Sequence, residues 1–170
     1  METYAPEAHR SAESATTADA TIPVAHSRWM PPHLFLLYGL AGVVFHFTVY
    51  GPRLLRMRWP GGAVLVVGAL LTLWGAWTVG VAGTTIKPFE RTTRLVANGP
   101  FRFSRNPMYL GLVTMLLGSA LALGTVGPWF VALALAVTLQ LRFIRHEERA
   151  LAASLGEPYE LYRRSVRRWI

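Results

Sequence analysis

The chain of 170 residues contains no cysteine. That excludes disulfides, zinc–thiolate sites, iron–sulfur clusters and a thiol nucleophile. Charge is scarce as well. Asp, Glu, Lys and Arg make up 15% of the sequence, against roughly 25% in an ordinary soluble domain. No Asp, Glu or Lys falls inside a long apolar stretch. This argues against a proton- or ion-coupled transporter, which places an ionisable group within the membrane. The five histidines, His9, His26, His33, His46 and His146, are scattered. No two lie one helical turn apart as zinc hydrolysis asks, so no metal site is expected. His46 sits well inside an apolar stretch and is read as a packing histidine. Residues 1–28 lack the basic start and apolar core of a signal peptide. They have no apolar period either, and are expected to form a flexible tail.

What is present is apolar. The hydrophobic fraction is 52% with 15 glycines besides, and the mean hydropathy is +0.33. These values predict a single integral membrane domain over 29–170. The net charge of +8 is uneven: residues 1–28 carry four acids and two bases, so the remainder carries the whole excess. Nucleic acid is set aside as a partner, because these bases flank apolar spans. There, arginine sets topology and touches anionic lipid.

Four apolar stretches predict an all-α fold of about four transmembrane helices, near 33–50, 61–82, 107–123 and 128–144. The last two each rise about 25 Å, short for a bilayer but workable. Gly124 to Gly127 leaves room only for a tight helical hairpin. Helix formers continue from Gln140 to Leu155, so the fourth helix is expected to extend into the cytosol and stop at Gly156 and Pro158. Glu148, Leu151 and Leu155 share a face, which turns one acid inward. Residues 157–170 are expected to form a short interfacial helix. Tyr159, Tyr162, Val166 and Trp169 lie on one face, with Arg163, Arg164, Arg167 and Arg168 on the other. With four spans, Lys87, Arg91, Arg94, Arg102, Arg105 and the seven arginines from Arg142 to Arg168 share one side. The other side holds Arg53, Arg56 and Arg58. The bias puts both termini in the cytoplasm, at an inner or plasma membrane.

The polar chemistry gathers in two segments, Asn98 to Gly111 and Arg142 to Arg149. The first enters helix three and the second leaves helix four. The hairpin between those helices brings them to the same end. Asn106-Pro107 is a helix start with proline near the first helical position. Its open N–H groups, with Arg102 and Arg105, suit a carboxylate or phosphate. Tyr109 adds a hydroxyl and an aromatic face. Glu147 and Glu148 supply two acids. The plain alternatives are a basic loop with an ordinary helix start, and a solvated acid pair balancing Arg145 and Arg149. Together the segments offer an anion site, two acids and an aromatic at a membrane surface. S-adenosylmethionine, with one carboxylate, one ammonium and one sulfonium, needs that mixture. Methyl transfer is an in-line displacement, in which positioning does most of the work.

Several motifs, in order and at matching spacing, carry a resemblance. They are Thr84-Thr-Ile-Lys-Pro-Phe89, Leu95-Val-x-Asn-Gly-Pro-Phe-Arg-Phe-Ser-Arg-Asn-Pro-Met-Tyr-Leu-Gly111, Glu147-Glu148-Arg-x-Leu151 and Leu155-Gly-Glu-x-Tyr-x-x-Tyr162. Over roughly 60–170 the chain resembles the integral-membrane methyltransferases, the superfamily of isoprenylcysteine carboxyl methyltransferase and the phospholipid N-methyltransferases. The resemblance implies methyl transfer from S-adenosylmethionine, leaving S-adenosylhomocysteine, to a lipid-like or small hydrophobic acceptor at the cytoplasmic membrane surface. It implies a cofactor-binding part over about 84–170, built on Gly99, Pro100, Arg102, Arg105, Asn106, Pro107, Tyr109, Gly111, Glu147, Glu148, Tyr159 and Tyr162. Arg102 or Arg105 would hold the cofactor carboxylate. Glu147 or Glu148 would hold its ammonium or ribose hydroxyls. Tyr109, with the face of Tyr159 and Tyr162, would shape the lid and the acceptor entrance. Arg105, Tyr109 and the two acids are the expected catalytic groups. Asn106 stands where the isoprenylcysteine branch has histidine, which argues against carboxyl methylation of prenylated proteins. Gly80-Val-Ala-Gly83 approximates the glycine motif of the phospholipid branch. Two other readings stay open: a membrane reductase using NADPH on a related fold, and a non-catalytic scaffold or lipid-binding protein.

Overall fold

The structure, a computed structural model, describes residues 30–48, 56–83 and 95–170. The expected N-terminal tail, Arg53, Lys87, Arg91, Arg94 and the motif at 84–89 lie outside these residues. Of the described residues, 82% are helical and none forms a strand. Helix α1 spans Pro31–Thr48 and α2 Arg58–Val81. A 3₁₀ turn at Gly99–Arg102 precedes α3, Pro107–Leu123. Helix α4, Gly127–Leu139, passes through a π turn at Gln140–Ile144 into α5, Arg145–Leu155. Helix α6 spans Glu157–Ser165.

Two helices are long and apolar enough to cross a membrane: α2, and the continuous run Gly127–Leu155. Only 17% of the apolar window of α2 is buried inside the protein, and 39% of the other. The core helix of a soluble protein would bury far more. Leu70, Leu73 and Trp77 on α2 point outward, as do Phe130 and Leu133 on α4. An all-round apolar helix with so little cover needs lipid as its other neighbour. Alongside them lie α1, of 18 residues, and α3, a shorter apolar helix of 17 residues.

Glycines let the helices meet backbone to backbone. Gly61, Gly68 and Gly75 recur at seven-residue spacing along α2 and are all buried. They face Gly111 and Gly118 on α3. A Cβ on Gly111 would sit 2.5 Å from the Gly68 carbonyl oxygen and 2.2 Å from Thr72 Oγ1. One on Gly118 would sit 2.5 Å from the Leu65 nitrogen. Small residues that bring helix axes close are the usual means of association where lipid removes the hydrophobic drive. Thr72 Oγ1 adds a polar tie, lying 3.0 Å from the Gly68 oxygen and 3.3 Å from the Met108 oxygen on α3.

Helix α3 turns into α4 through Gly124, whose φ of 70° caps the helix in the left-handed region. This is the tight hairpin expected from Gly124 to Gly127. The α3–α4 seam forms the core, with Leu112, Leu116, Leu135, Leu139, Phe143 and Ile144 buried together. Helix α1 covers the far side of α4. Tyr38 Oη and Thr138 Oγ1 lie 2.8 Å apart, and His46 Nδ1 and Thr125 Oγ1 3.0 Å apart. His46 is thus a packing residue.

The helices alternate in direction. At one end, Met57 N–H donates to the Leu121 oxygen and Arg56 Nε–H to that of Ala122. Exposed Trp59 and Trp129 flank this end. The start of α1, the segment 95–106 and everything after Gln140 gather at the other. One expectation fails here. The tail helix stops at Ser165, and Val166 is extended, with φ −124° and ψ 132°. Residues 166–170 find hydrogen bonds on the α3 entrance instead of within a helix, so Arg168 is not on an exposed arginine face.

The α2–α3 contact yields a prediction. Gly111→Ala should destabilise the protein by about 1–3 kcal/mol, the usual cost of overpacking. Gly62→Ala, whose new methyl meets nothing within 4 Å, should be neutral or add up to about 1 kcal/mol through helix propensity. Thermal unfolding of both variants in one detergent checks the contrast.

Candidate active site

The α3 entrance is folded by its own sequence. Gly99 takes φ 56°, a conformation that favours glycine. Pro100 follows and starts the 3₁₀ turn. The turn buries Pro100 and Phe101 and draws Ser104 inward, its N–H donating to the Pro100 oxygen. Ser104 Oγ then accepts the Asn106 N–H at 3.1 Å. Pro107 opens α3, where its missing N–H costs no helical bond. Arg105 is thereby fixed on a constrained backbone, two residues before the helix.

Across from it, the π turn delivers Glu147 and Glu148 at the start of α5. The Tyr109 hydroxyl donates to Glu147 Oε1 at 2.5 Å. The Tyr109 ring also leans on Phe143, with centroids 6.4 Å apart. Glu148 is buried. Its Oε1 lies 3.3 Å from Arg105 Nη1. Arg168 grips the same carboxylate with both arms of its fork, Nε to Oε1 at 2.9 Å and Nη2 to Oε2 at 2.6 Å. A buried carboxylate needs such pairing, and a bidentate arginine supplies it best. Beyond that ion pair, two buried donors of Arg105, Nε and Nη1, have no hydrogen-bond partner among the described residues.

Helix α6 closes over this cluster. The Tyr159 side chain is fully buried, and the Tyr162 hydroxyl donates to the Phe101 oxygen at 2.8 Å. Burial pushes the Tyr159 hydroxyl up, the Glu148 charge adds to this, and Arg105 opposes it. Burial pushes Tyr162 up to about 12, with Tyr159 adding and Arg105 opposing. The hydrogen bond to Glu148 is the main reason that Arg168 is raised above its ordinary value.

Seven of the residues expected from sequence come together: Arg105, Asn106, Tyr109, Glu147, Glu148, Tyr159 and Tyr162. Gly99, Pro100 and Pro107 shape the backbone that presents them. Gly111 faces α2, where helix packing needs its missing side chain. Arg102 is exposed and outside the cluster. Asn106 Nδ2 donates to the Arg168 oxygen at 3.0 Å, which ties down residues 166–170. Sequence reasoning missed Arg168 and Ser104. Four arginines between 163 and 168 look alike in sequence; the end of α6 at Ser165 sets Arg167 and Arg168 apart from the other two, and of that pair Arg168 turns in to Glu148 while Arg167 stays exposed. Among the described residues, no three His, Asp or Glu side chains are grouped as a metal site would need.

A family model described as phospholipid methyltransferase matches residues 57–157. No curated protein and no solved structure matches the chain. The family match contains α2 to α5, with the α3 entrance and both acids. It stops where α6 begins.

The Tyr162 contact is testable. Tyr162→Phe leaves the buried Phe101 carbonyl unpaired and should cost about 1–3 kcal/mol at neutral pH. A phenol whose folded pKa is raised contributes stability below the unfolded value near 10. That contribution fades as pH climbs toward about 12. Wild-type protein should therefore lose stability over that range, and Tyr162→Phe should lose less. Thermal unfolding from pH 8 to 12 measures both.

Proposed function

We propose that this chain, which belongs to the phospholipid methyltransferase family of the integral-membrane methyltransferases, moves the methyl group of S-adenosylmethionine to a lipid-type acceptor at the cytoplasmic membrane surface. The observation that carries this reading is Arg105. Two of its donors are buried with no hydrogen-bond partner among the described residues, they stand just before the start of a 17-residue helix, and two acids lie opposite. Orphaned guanidinium donors beside a helix N-terminus fit an incoming carboxylate. Family membership argues against the reductase and scaffold readings.

The residues divide the work. Arg105 receives the carboxylate of the methyl donor. Glu147 is the acid for its ammonium, because Tyr109 is its partner and, among the described residues, no arginine is paired with it. Glu148 has both oxygens on Arg168, which makes it a support for the site. Tyr109 orients Glu147 through their hydrogen bond. Tyr159 and Tyr162 hold α6 as a cover that excludes water. S-adenosylmethionine supplies a methyl on a sulfonium: the acceptor's lone pair forms the new bond to that carbon as the sulfur–carbon bond breaks, and the sulfur keeps the electron pair.

In this reading α1, α2, α3 and the run from Gly127 form a four-span bundle. Both termini lie on the cytoplasmic side. The arginine distribution supports it. The site end carries Arg102, Arg105, Arg142, Arg145, Arg149, Arg163, Arg164, Arg167 and Arg168. Of the described residues at the other end, Arg56 and Arg58 are the basic ones. Such an excess marks the cytoplasmic face and suits anionic headgroups.

Calorimetry on the full chain in detergent should show binding of S-adenosylhomocysteine. Arg105→Ala should weaken it by about 10- to 150-fold, one charge-assisted contact of roughly 1.5–3 kcal/mol. Arg164→Ala, on the exposed side of α6, should leave it unchanged. Radiolabelled methyl groups from S-adenosylmethionine should enter the lipid fraction of a membrane extract. Label confined to protein or to water-soluble species would overturn the lipid acceptor.

A further inference from the structure

Residues 166–170 leave the helix through an extended Val166 and run back over the α3 entrance with bends at Val166 and Arg168. The Arg105 N–H donates to the Arg167 oxygen at 2.9 Å. Asn106 Nδ2 and Ser104 Oγ donate to the Arg168 oxygen at 3.0 and 3.3 Å. Trp169 Nε1 donates to Gln140 Oε1 at 2.9 Å, inside the π turn. This backbone is pinned to both halves of the site before any side chain of Arg168 is considered. Its guanidinium then reaches Glu148 with both arms.

The consequence falls on Arg105. Its side chain and that of Glu148 are each only 10% exposed, and Nη1 is 3.3 Å from Oε1. A buried arginine so close to a buried carboxylate normally closes onto it with a forked pair of hydrogen bonds. Here Arg168 has taken the forked grip, and Arg105 keeps only the ion-pair contact of Nη1, with no hydrogen bond to Nε or Nη1 among the described residues. Arg168 itself is 38% exposed at the side chain, on the outer side of the carboxylate.

We propose that Arg168 is a positioning residue for methyl-donor binding: by taking the forked grip on Glu148 it leaves Arg105 with a single loose ion-pair contact and keeps its donors available for the ligand carboxylate. This rests on the reading that Arg105 receives that carboxylate. Without Arg168, the existing ion pair of Glu148 with Arg105 tightens into a forked pair, and the anion site closes. Arg168 lies beyond the residues matched by the family model. The role is assigned from this chain's own contacts.

The test uses two ligands on the full chain. S-adenosylhomocysteine carries the amino-acid carboxylate and ammonium, and 5′-methylthioadenosine has the same nucleoside thioether without either; Arg168 touches only the carboxylate side of the site, through Glu148 and Arg105. Arg168→Gln should weaken S-adenosylhomocysteine by about tenfold or more, the scale of a charge-assisted contact. Binding of methylthioadenosine should stay within about twofold. Adding Glu148→Gln removes the carboxylate that captures Arg105, so the double variant should recover S-adenosylhomocysteine affinity. Arg168→Lys keeps the charge without the fork and should fall between. Equal loss of both ligands in Arg168→Gln would mean a merely structural tie and overturn the proposal, as would no loss of either or no recovery in the double variant. A wild-type protein that holds the two ligands equally would overturn the carboxylate role of Arg105. Binding of neither would overturn the methyl-donor reading itself, and this inference with it.

Discussion

Glu148 is a buried charge, and much of the local architecture follows from the need to pair it. Leaving a carboxylate in this setting without partners would cost several kcal/mol. Its partners come from opposite directions: Arg105 from the α3 entrance and Arg168 from beyond α6. Three stretches of chain that are distant in sequence must therefore converge for the pairing to form. Tyr159 is buried beside them, and the Ser104 and Asn106 side chains anchor the Arg168 backbone. The same carboxylate thus joins folding to chemistry. The groups that neutralise it are the groups that frame the proposed methyl-donor site.

That convergence relies on a stiff frame. The glycines of α2 and α3 place two backbones in direct contact, and the hairpin through Gly124 locks α3 to α4. The candidate site sits where these helices end and the chain becomes more polar. A rigid apolar part and a polar cap with few alternatives for its charges give the geometry that in-line transfer needs. The exposed apolar flanks of α2 and α4 serve the other half of the problem, since a lipid acceptor can approach along them without crossing water.

The sequence was most legible where local chemistry decides structure. Asn106-Pro107 and Gly124 bound α3 at its observed residues, because a proline start and a left-handed glycine stop act within one turn. The meeting of Arg105 with the acids across some forty residues followed from the hairpin alone. Glu148 turned inward as its spacing with Leu151 and Leu155 implied. Legibility ended where the outcome depends on partners. The seven-residue recurrence of Gly61, Gly68 and Gly75 is visible in sequence, but nothing local says that Gly111 and Gly118 answer it. Likewise the course of residues 166–170 is decided by acceptors and donors at Ser104, Arg105 and Asn106. The helical pattern of the tail aromatics concealed it. Length and hydropathy together identify two of the four expected spans: α3 is short at 17 residues, and α1 reaches 18 but carries two prolines and two histidines.

The π turn carries a consequence for how this fold diverges. In an unbroken α-helix, nine residues at about 100° each make two and a half turns, so Glu148 would stand on the face opposite Leu139. Both are buried, and the wider turn at Gln140–Ile144 is what reconciles them. A π turn is an α-helix with one residue inserted. Deleting a single residue there would restore a regular helix and keep Leu135 and Leu139 in their seam. The acid now at 148 would then follow Leu139 by eight residues, about 80° round the helix, and so stay on the side of Arg105 and Arg168. The π turn thus absorbs one residue without turning either the apolar seam or the acids, and a descendant of this chain could gain or lose that residue while keeping both.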